Sequence, residues 1–296
     1  MMEDEVGILV VAHGTVESLD DLPAFLQRVR HGRPASEKLI SELRDRYQKI
    51  GGSPLLRHTV EQAEALHVQT GFRTFVAMRL WEPSIPKVLA TLPCSLRRLC
   101  VVPLAPFSVE IYIDAVRQGL ASLSLARPPE LRGVAPWGRQ PALIRAHIET
   151  IVDCLEGTNS TTQVVLTAHS LPTRVIEQGD QYATQVRECA EAVGAGLSQP
   201  WTLAYQSPGA DGGSWLGPSL QEVLHEVRNE GATGVVVAPI GFLAEHVETL
   251  YDLDVEARGW AEQLGLEWRR APALNQHSGL IQAMAASVHE ALIRNA

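Results

Sequence analysis

Gly234 to Glu256 reads GVVVAPIGFLAEHVETLYDLDVE, an apolar run followed by five carboxylates and one histidine, with no basic residue until Arg258. The run Gly234 to Ala238 has the length and continuity of a strand buried on both faces, as in a parallel sheet. Plotted at about 100° per residue, Glu245, Glu248, Asp252 and Glu256 share one stripe of a helix. The last three stand four residues apart, where like charges repel by a few tenths of a kcal/mol. A metal ion would offset that repulsion, and so would an arginine from elsewhere. A solvated acidic face is the competing reading.

Outward from this stretch, strand-length apolar runs alternate with helix-length segments along the whole chain. In the first half the runs are Val6 to Ala12, Thr74 to Arg79, Leu99 to Leu104 and Gly133 to Pro136. In the second they are Gln163 to Ala168, Thr202 to Tyr205, Gly234 to Ala238 and a shorter one near Glu267. Helices are expected around Leu22 to Arg30, from near Ser36 to Gly51-Gly52, and from a capping box at Thr59-Val60-Glu61-Gln62 to Gly71. The alternation predicts an α/β fold. The halves echo each other: Val10-Val11-Ala12-His13-Gly14 resembles Leu166-Thr167-Ala168-His169-Ser170, and Val101-Val102-Pro103-Leu104 resembles Val237-Ala238-Pro239-Ile240. Two similar units facing each other are expected, with a boundary near Arg127-Pro128-Pro129.

Composition excludes several classes. The chain has 296 residues and a formal charge of −9, which argues against a nucleic-acid partner. It holds no run of 18 apolar residues, and its acidic opening, Met1-Met2-Glu3-Asp4-Glu5, is unlike a signal peptide. A cytoplasmic protein that does not insert into membranes is expected. Cys94, Cys100, Cys154 and Cys189 lack the close paired spacing of zinc or iron–sulfur ligands, so free thiols are expected. Ligands of open α/β sheets bind outside the carboxyl ends of the strands, where His13, His169 and the acidic stretch all fall.

Several segments carry a family resemblance. Ala168-His169-Ser170-Leu171-Pro172 with Val175 to Tyr182, Tyr205-Gln206-Ser207 with Trp215 to Pro218, Gly241 to Asp252, and Arg44 to Leu55 are similar to segments of ferrochelatases, and their occurrence together in the right order is more specific than any one of them. The likeness is strongest to the short bacterial members that act on coproporphyrin III. It implies a lyase of haem biosynthesis that inserts ferrous iron into a free-base porphyrin, with coproporphyrin III favoured over protoporphyrin IX. It also implies two Rossmann-like, chelatase-type domains, each a four-stranded parallel sheet flanked by helices, with the active-site cleft between them. Residues 1–128 form the first and 129–276 the second, which carries the metal site, and the helix at 277–296 packs back on the first.

The resemblance assigns catalysis to His169 and Glu248, and metal handling to the same pair with Asp252 and Glu256. His13, Arg30, Arg46, Tyr47, Ser53 and Tyr112 are implied to contact the porphyrin. His13 departs from the tyrosine usual in the short members, which suggests imidazole as an axial ligand to product iron. The implied chemistry suits these residue types. Metallation removes two pyrrole protons, a task for a base with a near-neutral pKa, and a carboxylate beside it steadies the imidazolium. Imidazole and carboxylate hold ferrous iron exchangeably, where thiolates would grip it.

Iron is a substrate in this reading. No resident cofactor and no iron–sulfur cluster are expected, a second divalent cation at the outer acidic residues is admitted, and a monomer is the expected state. Two other readings stay open: a cobalt or iron chelatase acting on sirohydrochlorin, and a non-catalytic porphyrin or haem carrier on the same fold.

Overall fold

The computed structural model describes residues 5–123, 125, 127–209 and 213–294. The chain divides into two compact units, one running to Trp137 and resuming at Asn275, the other spanning Gly138–Leu274. In the first, β1 (Val6–Ala12) leads through a short turn to α1 (Leu22–Val29), α2 (Glu37–Lys49), α3 (Leu55–Thr70), β2 (Arg73–Met78), α4 (Ile85–Ala90), β3 (Arg98–Pro103), α5 (Val109–Ser122) and β4 (Glu130–Gly133). In the second, α6 (Pro141–Leu155), β5 (Thr162–His169), α7 (Thr173–Glu177), α8 (Tyr182–Gly194), β6 (Trp201–Gln206), α9 (Leu220–Asn229) and β7 (Gly234–Ala238) come first. They are followed by α10 (Val247–Leu250), a π-helical turn over Asp252–Ala257, α11 (Arg258–Gln263) and β8 (Glu267–Arg270). The last helix, α12 (Ser278–Ile293), belongs to the first unit.

Each unit holds one four-stranded, wholly parallel sheet, in the order β2-β1-β3-β4 in the first and β6-β5-β7-β8 in the second. The repeated order explains the sequence echo, because β1 and β5 occupy the same place in their sheets. Parallel strands need both faces covered. Accordingly every residue of β1 and of β7 is buried. Against one side of the second sheet, Val165, Val235 and Val237 meet Leu220, Val223, Leu224 and Val227 of α9 and Leu253 and Ala257 of the π turn. The apolar side of the acidic segment is therefore anchored in the core. No helix among the described residues is long and apolar enough to cross a membrane.

Local chemistry sets most helix ends. Ser36 caps α2 by accepting from the Leu39 N–H at 3.3 Å, and Gly71 closes α3 in the left-handed region at φ 74°. Three expectations need correction. The helix expected to open with a capping box at Thr59 begins at Leu55 instead. Thr59 lies one turn inside it and its hydroxyl donates to the Leu55 carbonyl at 2.7 Å, while Gln62 points inward and donates to the Asn275 carbonyl at 2.7 Å. The strand expected at Gly133 to Pro136 is Glu130–Gly133, set by its pairing with Arg98–Val101. For the same reason the units part after Trp137 rather than near Arg127 to Pro129: β4 completes the first sheet, and the buried Trp137 donates its indole N–H to the Pro103 carbonyl at 3.3 Å.

Gly194, the last residue of α8, lies against Trp201, so that a Cβ at this position would fall 2.1 Å from the indole ring. Gly194→Ala is expected to cost about 1–3 kcal/mol by overpacking, read as a lowered Tm in thermal denaturation. An unchanged Tm would show that the indole can give way.

Candidate active site

The second sheet's strand order reverses between β5 and β7, the switch point where open α/β sheets bind ligands beyond the strand ends. His169 ends β5 there. Its carbonyl accepts from the Tyr182 hydroxyl at 2.8 Å, and the next N–H, of Ser170, donates to the Gln206 carbonyl at 2.7 Å. The backbone on both sides of the imidazole is thus held. Beyond β7 the chain folds back onto β5: the Gly241 N–H donates to the Thr167 carbonyl at 3.1 Å. A Cβ on Gly241 would lie 2.9 Å from the Ala168 Cα, so only glycine allows this approach.

The returning segment brings Glu248 to His169. Their closest atoms, Oε2 and Nδ1, are 3.2 Å apart, and His246 Nε2 lies 3.7 Å from the same oxygen. Nδ1 of His169 is shut off from solvent and off the hydrogen-bonding line to Glu248, so the contact is one of proximity, which becomes an ion pair when the imidazole is protonated. The side chains of His169 and Glu248 are nevertheless 35% and 34% exposed, and for His169 that surface belongs to the side chain other than Nδ1. Phe242 flanks both imidazoles, its centroid 6.3 Å from His169 and 4.8 Å from His246. Nδ1 of His246 faces the Ala244 carbonyl at 3.2 Å, and because a carbonyl can only accept, that nitrogen donates.

Burial works against charge on His169, but the carboxylates of Glu248 and Asp252 outweigh it and raise its pKa above the ordinary 6.5. Burial likewise opposes ionised Glu248, and the two histidines outweigh it, holding this carboxyl well below its ordinary 4.5. A carboxylate beside Nδ1 favours the tautomer protonated there, which leaves the Nε2 lone pair for an incoming proton. The pair can therefore take a proton and stabilise the resulting imidazolium.

The acidic stripe is not the single α-helix that its spacing suggested. Glu245 precedes α10, and the π turn makes an i to i+5 bond from the Glu256 N–H to the Tyr251 carbonyl at 3.1 Å. Asp252 accepts from the Ser207 hydroxyl. An arginine from elsewhere does answer the acidic segment: Arg270 binds Glu245 at 2.8 Å and Asp254 at 2.5 Å. Among the described residues no group of three or more His, Cys, Asp or Glu side chains is arranged to hold a metal ion.

Sequence reasoning assigned no role to Gln206, Ser207, Phe242 or Arg270. Gln206 closes β6 beside His169, in register with it, and its amide N–H donates to the Glu248 carbonyl at 3.1 Å. A polar residue ending an apolar strand was a usable signal for it. Arg270 offered none.

The porphyrin candidates all belong to the first unit, and His13 lies in the turn after β1. His13 is exposed there, and its carbonyl accepts from the Leu80 N–H at 2.9 Å. Arg30 caps the end of α1, Arg46 lies in the last turn of α2, and Ser53 precedes α3 with an enclosed Oγ that has no hydrogen-bond partner. Tyr47 is only 2% exposed, and its hydroxyl is hydrogen-bonded to Thr15 at 2.9 Å. Tyr112 is also buried, with the Arg79 guanidinium 5.6 Å from its ring centroid. Both tyrosines pack within the unit.

Comparison with known proteins places this geometry. SirB from Bacillus subtilis, solved with Fe3+, superposes with a TM-score of 0.63 at 12% identity, covering 98% of this chain and 96% of its own. CbiX, described as the terminal enzyme for biosynthesis of siroheme in denitrifying bacteria, gives 0.53 at 13%, covering 96% and 99%. The fold is that of the chelatases. Within that fold, residues 5–292 match the ferrochelatase family, and the chain belongs to it. It is 34% identical to the ferrochelatase of Deinococcus radiodurans, over 96% of this chain and 95% of that one. It is 32% identical to the coproporphyrin III ferrochelatase of Anoxybacillus flavithermus (97% and 96%) and 30% identical to the ferrochelatase of Acidobacterium capsulatum (99% and 96%).

The two pKa shifts set a pH window. A raised His169 pKa contributes stability that is full below 6.5 and is lost as pH rises through the folded value, while a depressed Glu248 pKa contributes above 4.5 and is lost as pH falls. Wild type should therefore exceed Glu248→Gln in stability most between about pH 4.5 and 6.5. Denaturant unfolding of both proteins across that range checks this, and a difference independent of pH would exclude the coupling.

Proposed function

We propose that the iron-insertion reaction of this ferrochelatase acts on coproporphyrin III and runs through His169 and Glu248. The observation that carries the reading is the 3.2 Å contact between a partly exposed imidazole and a carboxylate at the switch point of the second sheet. Neutral His169 accepts one pyrrole proton, Glu248 holds the imidazolium that forms, and after His169 has released that proton to solvent it accepts the second. A base whose pKa is raised above that of free histidine holds the accepted proton more firmly. Ferrous iron arrives as substrate. Nitrogen and oxygen donors bind it weakly enough to hand it on, and Asp252 and Glu256 are proposed to draw a divalent cation toward the pair.

Coproporphyrin III carries four carboxylates, and the guanidiniums of Arg30 and Arg46 are suited to pair with them. His13 and Ser53 are proposed as further contacts, His13 as a ligand to product iron. A relative 32% identical over nearly the whole chain bears the coproporphyrin III name, which supports this choice of macrocycle. The same reading takes the protein as a cytoplasmic monomer with no resident cofactor.

Anaerobic turnover with ferrous iron should be faster with coproporphyrin III than with protoporphyrin IX, and equal or reversed rates would overturn the choice. In the same assay His169→Ala should abolish metallation while porphyrin affinity stays within about tenfold, because the lost group takes a proton rather than binding substrate. Near-normal turnover in that variant would remove His169 from the mechanism.

A further inference from the structure

Two separate parts of the second unit set the spacing of the His169–Glu248 pair. His169 is held by β5, Tyr182 and the pairing with Gln206. Glu248 lies on α10, a helix of one turn that is too short to hold its own shape. Gln206 holds the Glu248 carbonyl at 3.1 Å, and the remaining restraint comes from what pins the segment at either end. Within Glu245 to Glu256 every ionisable side chain but His246 and Tyr251 is acidic, so the pinning cation comes from outside.

That cation is Arg270, the last residue of the edge strand β8. Its Nη1 donates to Glu245 Oε1 at 2.8 Å, ahead of α10. Its Nε and Nη2 donate to the two oxygens of Asp254, at 2.5 and 2.8 Å, in the π turn behind α10. The planar fork of a guanidinium suits such a bridge, since it offers several donors in fixed directions. Glu245 is fully engaged: it also accepts from the Ala273 N–H at 2.9 Å and from the Thr249 hydroxyl at 2.5 Å. Thr249 in turn accepts from the His246 N–H at 3.0 Å, so the chain of contacts runs from Arg270 through Glu245 and Thr249 to the backbone that presents His246 and Glu248. The side chains of Arg270 and Glu245 are 12% and 10% exposed, so water competes little for the bond between them, whereas Asp254 at the other end of the clamp is 36% exposed.

We infer that Arg270 is a positioning residue for the metallation site, clamping both ends of the segment that sets Glu248 against His169. This inference rests on the proposed metallation at that pair. The bridge spans residues 245 to 254, and between its ends lie His246, Glu248 and Asp252. Arg270 touches neither His169 nor Glu248 in any described contact and acts through geometry. Loosening the clamp lets Glu248 drift while β5 keeps His169 in place, so the step that needs both groups is lost and porphyrin binding is kept.

Three variants test this: Arg270→Met, Arg270→Lys and Thr249→Val. The lysine variant keeps the positive charge, but its ammonium cannot serve Glu245 and both Asp254 oxygens together. The valine variant leaves the ion pairs intact and removes only the hydroxyl between Glu245 and His246. If Arg270→Met does not fold, the other two decide. Porphyrin binding is titrated by fluorescence to count competent sites, and kcat is taken per bound porphyrin. Expected is a fall in kcat of about 10- to 100-fold in Arg270→Lys and Thr249→Val, as for other supporting contacts around metal sites, with porphyrin Kd within about twofold of wild type. A kcat per site within about twofold of wild type in both overturns the inference. So does a parallel loss of porphyrin binding, which would make the clamp a general stabiliser. Wild type assayed alongside keeps the two ideas apart: if it fails to metallate porphyrin, the proposed function falls, whereas the clamp falls only when wild type turns over and the variants match it.

Discussion

A carboxylate withdrawn from water must be answered by positive charge or by hydrogen bonds, and the segment from Glu245 to Asp254 meets that demand differently at each position. Glu245 and Asp254 are answered by Arg270, Glu248 by two histidines, and Asp252 by the Ser207 hydroxyl. The distinction separates structure from chemistry. A guanidinium stays charged at any pH a protein meets, so its two bridges persist near neutral pH. Imidazoles gain and lose protons near neutrality, so the bridge at Glu248 can be made and broken. One short stretch therefore carries two carboxylates answered by a fixed charge and one, Glu248, answered by groups that titrate.

The fixed charge is needed because the local structure is weak. A one-turn α-helix followed by a π turn has few backbone bonds of its own to hold it. On one side Leu253 and Ala257 pack into the core beside α9, and on the other Arg270 grips the acidic side chains. Irregular helical turns of this kind tend to occur at functional positions, where a side chain must be aimed rather than merely exposed. Here the aim is toward the end of β5.

The open character of the pair suits the metal-handling role proposed for it. A closed cage of several ligands would bind iron and keep it, whereas a partly exposed histidine and carboxylate offer donors that exchange. Burial alone would push His169 toward the neutral form and leave it a weaker base. The adjacent carboxylates reverse that tendency, which is how a half-enclosed imidazole keeps a basicity useful near neutral pH.

What the sequence determined by itself is whatever depends on near neighbours. Continuous apolar runs marked β1, β5 and β7, because a strand covered on both faces has no polar side to show. Glycine 71 and Ser36 marked helix ends through their own backbone and side-chain chemistry. Motif order carried the family, and with it His169 and Glu248 as a candidate pair. Thr59 to Gln62 misled because a capping pattern is only four residues long and reads the same inside a helix as at its start. Tertiary structure alone decided the π turn, since over six residues its period cannot be told from that of an α-helix. It alone decided the partner of the acidic segment as well. Arg270 lies 25 residues from Glu245 and 16 from Asp254, and nothing in its own surroundings distinguishes it from Arg269 beside it. Ion pairs form across space once strands have been laid side by side, so their partners are set by the packing of β8 against β7 and not by any local pattern in the chain.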